Sequence, residues 1–212
     1  MNAEALQGAI EEMREYIQGQ VAAGFNSEED IQSFAMERLE LEDDAEAIVL
    51  RRHAALLTRE EIEEHLKRQM TWPPCTDCDR LDAAFADLEQ AGIVARQDFS
   101  CCGNCASGEI WEVMEAQAAQ GIQVRGYVYY HMQDTEAAVA GGGVYLGYGS
   151  TKRDDASVLE IAREIVVTLQ RHGLTVEWDG TRKKRILVLM QWQRRRRNEA
   201  HAQSGNKQPP RF

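Results

Sequence analysis

The spacing of apolar residues changes character once along this 212-residue chain, and that change constrains the fold more than any other feature. Up to about residue 121 the apolar positions recur at three- and four-residue intervals, the mark of a helix with one buried face. Leu6, Ile10, Met13, Ile17 and Val21 form such a series over 3–22, with Gly24 at its end. Ser27 and Asp30 make a capping arrangement ahead of Ile31, Phe34 and Leu39. Residues 40–44 are acidic and read as a connection. Thr58-Arg59-Glu60-Glu61 reads as a capping box that opens a helix with Ile62, Leu66 and Met70, stopped by Pro73-Pro74. The next helix runs from about Asp79 to Gln90 with Leu81, Phe85 and Leu88 on its stripe, and Gly92 separates it from a strand at 93–99. Ile110, Trp111, Val113 and Met114 predict one more helix, ending near Gly121.

Strand composition then takes over. Residues 124–131 and 144–148 read as strands around a short helix from Asp134 to Ala140. Val158, Ile161, Ile165 and Leu169 place a helix over 155–172. Strands at 174–178 and 186–192 flank Asp179-Gly180 as a hairpin. The expected fold is α+β: a helical N-terminal half with a winged-helix-like segment, followed by a β-α-β-α-β-β layer. The expected divisions are 1–121, helical with the cysteine cluster; 122–193, the sheet region; and 194–212, a basic disordered tail.

Charge and composition exclude several classes of function. Hydrophobic residues make up 43% and charged residues 28%, an ordinary globular balance. No apolar run approaches the roughly 18 residues of a membrane span. Met1-Asn2-Ala3-Glu4 lacks the basic and apolar regions of a signal peptide, so a soluble cytoplasmic protein is expected. The net charge is −11, while residues 191–212 hold six basic side chains and one acidic. An acidic body repels a phosphate backbone. The helix-turn-helix-strand order over 58–99 would make residues 79–90 the recognition helix of a winged-helix unit. That helix carries Asp79, Asp82 and Asp87 against Arg80, a poor reader of a DNA groove. Nucleic acid and membrane are therefore not expected partners. The basic run from Arg194 is read as clinging to the protein's own acidic half.

The chemical signal is a pair of CxxC motifs, Cys75/Cys78 and Cys102/Cys105, with Cys101 as an odd fifth thiol. Two intervening residues let both sulfurs of a pair turn onto one ion, and two pairs supply the four ligands of structural zinc. A helix of about 19 Å followed by a strand of about 23 Å makes closure of Cys78 onto Cys102 feasible. The expected ligands are Cys75, Cys78, Cys102 and Cys105, with Cys101 able to replace Cys102. Unliganded buried thiols and a Cys102-Gly-Asn-Cys105 redox pair are the alternatives. The redox reading is set back because no strand-CxxC-helix βαβ unit is evident around it.

Weaker signals lie further on. His131 with Asp134, Glu136 and Tyr145 forms a candidate acid–base site in a cleft, the alternative enzyme reading. Tyr127, Tyr129 and His131 share one strand face, for packing or for a ligand. Gly141-Gly142-Gly143 fits no nucleotide fingerprint and reads as a turn, whereas Gly147 and Gly149 permit a close approach of backbone to some other group.

Several stretches taken together resemble a bacterial family of uncharacterised proteins, a domain of unknown function. They are Cys78-Asp79-Arg80-Leu81-Asp82-Ala83-Ala84-Phe85, Gly92 to Phe99, Ser100-Cys101-Cys102-Gly103-Asn104-Cys105, Gly126 to His131, Gly142 to Leu146, and Val176-Glu177-Trp178-Asp179-Gly180. The resemblance covers roughly 45–195 and leaves the helical N-terminus as a variable addition. It implies no reaction or ligand. The function expected is that of a binding or interaction module with a structural zinc site, acting on a protein or small-molecule partner.

Overall fold

The computed structural model describes residues 3–39, 44–152 and 154–196. The acidic connection at 40–44 falls largely outside them, as does the tail beyond residue 196. The periodic stripes of the first half become helices α1 (Ala3–Ala23), α2 (Glu28–Glu37) and α3 (Asp44–Gln69). Ser27 caps α2 in the anticipated box, its hydroxyl accepting from the Asp30 amide at 3.1 Å. Met13, Ile17, Val21, Ile31, Leu50, Ala54 and Leu57 close into one apolar core.

Thr58 opens no helix. It sits inside the 26-residue α3. The preceding Ala54-Ala55-Leu56-Leu57 contains strong helix formers, and no Gly or Pro interrupts 44–69, so the helix runs through the apparent box. Thr58 is fully buried and its hydroxyl has no hydrogen-bond partner among the described residues.

Helix α4 (Asp77–Gln90) is capped by Thr76, which exchanges hydrogen bonds with Asp79. The second core then gathers around a five-stranded sheet in the order β1-β2-β3-β5-β4. Its strands are β1 (Ile93–Arg96), β2 (Gly126–Tyr129), β3 (Val144–Ser150), β4 (Thr175–Glu177) and β5 (Ile186–Leu189). Only β1 and β2 are parallel. A parallel pair needs a crossover, and α5 (Gly103–Ala119) supplies it. Helices α6 (Met132–Val139) and α7 (Asp155–Arg171) follow β2 and β3. The fold is thus α+β as expected, with β1, from the helical half, forming one edge of the sheet.

Side-chain alternation divides the sheet's faces. Ile93, Ala95, Val128 and Tyr130 face Leu81, Phe85 and Leu88 of α4 and Ile161, Ile165 and Leu169 of α7. Val94 and Tyr129 face Ala106, Ile110 and Met114 of α5. Helices α4 and α5 therefore lie on opposite faces.

Beyond β5 the chain straps the sheet core to the helical core. Trp192 Nε1 donates to the Ala22 carbonyl at 3.0 Å, and His65 Nε2 lies 3.1 Å from the Arg194 carbonyl. Arg194 donates to Asp82 and to Gln97 Oε1, both at 2.8 Å, with its guanidinium 4.2 Å from the Phe25 ring centre. Arg195 pairs with Asp79, and Arg196 donates to the Asn26 carbonyl. The basic run, as far as it is described, is fastened to carboxylates and carbonyls of the body. Among the described residues no helix is long and apolar enough to cross a membrane.

Candidate functional site

The connection from β1 to α5 is short and contorted. Asp98 and Ser100 adopt positive φ, 50° and 62°, a region that costs a non-glycine residue about 1–3 kcal/mol. The loop is held from several sides. The Phe99 amide donates to the Tyr130 carbonyl at 2.8 Å, the Met132 amide to Ser100 at 3.1 Å, and the Thr135 hydroxyl to Asp98 at 2.7 Å. These restraints deliver Cys101 and Cys102 to the first turn of α5, where Cys105 waits.

The sulfurs of Cys101, Cys102 and Cys105 all lie within 4.8 Å of one another. Such a cluster can hold a metal ion. Cys101 and Cys105 are exposed and Cys102 half-buried. Cys102 is the N-cap residue of α5. It closes no full capping hydrogen bond, yet the amides of Cys105 and then Asn104 favour its thiolate and lower its pKa. The Cys105 thiol goes the other way, pushed up to about 11 by Cys101 and Cys102 beside it. Three sulfurs at this separation resist ionising together, and a bound cation is what would let them do so.

The other CxxC pair lies elsewhere. Cys75 is exposed, its thiol near the Thr76 carbonyl. Cys78 is buried in α4, where its sulfur accepts from the Gln193 amide at 3.4 Å and burial raises its pKa to about 11. It stays a thiol, packed against the C-terminal strap. Neither residue belongs to the thiol cluster. Chain lengths alone allowed Cys78 to meet Cys102, but Cys78 lies in α4 and Cys102 starts α5, and these helices pack on opposite faces of the sheet. The same crossover supplies what the redox alternative lacked: Cys102-Gly-Asn-Cys105 follows β1, starts α5, and precedes a parallel β2.

A cleft of about 300 Å³ adjoins the cluster, with Gly103 of the CxxC turn on its wall. It lies over β2 and β3, which contribute Tyr127, Tyr129, Gly147 and Tyr148 to its lining. Tyr127 and Tyr129 form the floor, stacked at 5.9 Å between ring centres. The missing side chains of Gly147 and Gly149 make room for them: a Cβ there would lie 2.8 Å from Tyr129 Cζ and 2.5 Å from Tyr127 Cζ. The close approach allowed by these glycines is thus to tyrosine rings. The opposite wall is the turn Arg182-Lys183-Lys184-Arg185.

Of the candidate acid–base group, His131 lines the cleft, whereas Asp134 and Tyr145 are not among its lining residues. His131 caps α6, with Nδ1 accepting from the Asp134 amide at 3.3 Å and Nε2 lying 3.1 Å from Asp134 Oδ2. Burial lowers its pKa and leaves the imidazole neutral near pH 7. Asp134 is gripped by both terminal nitrogens of Arg185, which also donates to the Tyr145 carbonyl. Tyr145 itself is 41% exposed. Lys184 and Arg185 stand on the cleft wall beside Arg182 and Lys183. The β4–β5 hairpin is announced by Asp179-Gly180, but their place across the cleft from Gly103 depends on the pairing of β5 with β3, which no local motif announces.

A family model described as a domain of unknown function, DUF6891, matches residues 7–196. The match takes in α1 and α2, so the helical N-terminus is part of the matched domain, not an addition to it. No curated protein and no solved structure matches the chain.

Proposed function

The chain belongs to this DUF6891 family, and on that premise we propose that it is a metal-binding module in which Cys101, Cys102 and Cys105 hold a zinc ion. The observation that carries this reading is the convergence of three sulfurs within 4.8 Å on one restrained turn. Soft thiolates select zinc over magnesium or calcium, and zinc takes four ligands. The ion would tie the strained β1–α5 loop to the first turn of α5, a structural role. Its fourth ligand would be water or a group from a bound partner, which makes the module a binding one. The proposed set keeps Cys102 and Cys105 from the paired CxxC pattern and takes Cys101 in place of Cys75 and Cys78. Free thiols of this kind suit a reducing compartment such as the cytoplasm.

Metal analysis of the purified protein tests this. About one zinc per chain is expected, lost in Cys101→Ser, Cys102→Ser or Cys105→Ser and retained in Cys75→Ser and Cys78→Ser. Protein that stays metal-free after zinc-replete growth would sink the proposal.

A second reading is favoured by the place of the CxxC turn at the start of α5 inside a βαβ unit. Cys102 thiolate would attack a partner's disulfide and form a mixed disulfide. Cys105 would then displace the partner as a dithiol, leaving a Cys102–Cys105 disulfide and passing two electrons to the partner. Metal-free protein that reduces a model disulfide, and loses that activity in Cys102→Ser, would move the weight to this reading.

A further inference from the structure

The chain carries a net charge of −11, yet four consecutive cations stand on one wall of the cleft. Two of them are engaged. Arg182 pairs with Asp155, and Arg185 places both terminal nitrogens on Asp134. The planar forks best shaped for a carboxylate are thereby occupied. Lys183 and Lys184 make no close ion pair among the described residues, Lys184 feeling only the longer-range attraction of Asp179. The turn that carries them is pinned. The Tyr148 hydroxyl is within hydrogen-bonding distance of the Thr181 and Lys184 carbonyls, at 3.0 and 2.9 Å, and Trp178 Nε1 reaches the same two oxygens. Two half-buried aromatic side chains thus fix the shape of the turn.

The floor adds donors. The hydroxyls of Tyr127 and Tyr129 have no hydrogen-bond partner among the described residues. Burial raises the pKa of both, so they keep their protons and can donate. The far wall begins at Gly103, at the positive end of the 17-residue α5. No carboxylate is among the cleft's lining residues.

We infer that this cleft binds the phosphoryl group of a small molecule, with Lys183 and Lys184 neutralising it and Tyr127 and Tyr129 donating to its oxygens. Lysine ammoniums act as point charges, which suits a tetrahedral dianion approached from several directions better than a flat carboxylate. A volume of about 300 Å³ fits a small molecule and not a polymer. The inference goes beyond the metal reading and uses none of the three thiols.

Titration calorimetry on the full chain tests it, with inorganic phosphate, phenyl phosphate and benzoate as probes and zinc content measured in parallel. At least one phosphate probe should bind with Kd of about 1 mM or tighter. A tighter phenyl phosphate would assign the site to an ester, and a tighter inorganic phosphate to the free ion. The variant K183A/K184A, changed only at exposed positions, should bind about tenfold more weakly with its zinc content and melting temperature unchanged. Tyr127→Phe should also weaken binding. Benzoate should bind more weakly than phenyl phosphate. The inference is overturned if neither phosphate binds up to about 10 mM, if K183A/K184A binds as the parent does, or if benzoate matches phenyl phosphate. A zinc-loaded protein that ignores phosphate refutes this inference alone. A zinc-free protein that binds phosphate refutes the metal reading alone.

Discussion

Replacing Arg194 by methionine keeps much of the apolar stem and removes the guanidinium. That group donates to both Asp82 oxygens, at 2.8 and 3.3 Å, and to Gln97 Oε1 at 2.8 Å. It also lies 4.2 Å from the centre of the Phe25 ring. The Arg194 side chain is 11% exposed but that of Asp82 is 44% exposed, so the ion pair is screened from one side only. A hydrogen bond to a charged partner is worth about 1.5–3 kcal/mol, and the exposure of Asp82 argues for the lower figure. The Gln97 bond adds about 1 kcal/mol and the ring contact a similar amount, set against the relief of leaving no charge buried. The net loss expected is about 3 kcal/mol. For a chain of this size that lowers Tm by about 9 °C. Thermal unfolding followed by circular dichroism reads it directly, and a cycle with Asp82→Ala should return a coupling of about 1–2 kcal/mol. Melting within about 2 °C of the parent would refute the reasoning, and with it the view that the strap joins the two cores.

Three further outcomes follow from single positions. Thr58→Val removes a fully buried hydroxyl without a partner among the described residues and preserves its shape, so stability should rise by about 1 kcal/mol, read as a higher urea midpoint; a lower midpoint would mean the hydroxyl is satisfied. Gly149→Ala sets a Cβ 2.5 Å from Tyr127 Cζ, so the ring must move at a cost of about 1–3 kcal/mol, visible as a lower Tm with altered tyrosine fluorescence; an unchanged Tm and spectrum would contradict the packing. Burial lowers the pKa of His65 and of His131 from 6.5, so the unfolded chain takes up protons first and stability must fall as pH drops below about 6.5. Melting curves between pH 7.5 and 5.5 should show that fall, reduced in His65→Gln; a Tm that rises on acidification would reverse the sign.

Helices α1, α2, α4 and α7 were legible because each buries a single regular stripe and, for α2, because Ser27 and Asp30 announce its start. The single helix α3 was not. A capping sequence is a local preference, and at Thr58 the uninterrupted helix formers on both sides outweigh it. Strand β1 was found as a strand, yet its partner was not, since a parallel pairing across α5 leaves no turn signal in the sequence. That missing pairing also hid the site. Cys102 and Cys105 stand out by spacing, but Cys101 joins them only because two left-handed residues, Asp98 and Ser100, fold the loop back on itself. Cys78 shows the converse. Its CxxC spacing suggests a ligand, and its burial against Gln193 makes it a packed thiol. The strap from Trp192 to Arg196 resembled a charged tail because arginine reads as surface, whereas here the Arg194 guanidinium lies over the Phe25 and Trp192 rings and meets the Asp82 carboxylate.

X-ray absorption at the zinc edge of the purified protein bears most directly on the central claim, because it counts the sulfurs around the ion. The three-thiolate site predicts three sulfur neighbours at about 2.3 Å and one lighter ligand at about 2.0 Å. Four sulfurs would require Cys75 or Cys78 and contradict the placement of both, and a first shell without sulfur would contradict the site itself.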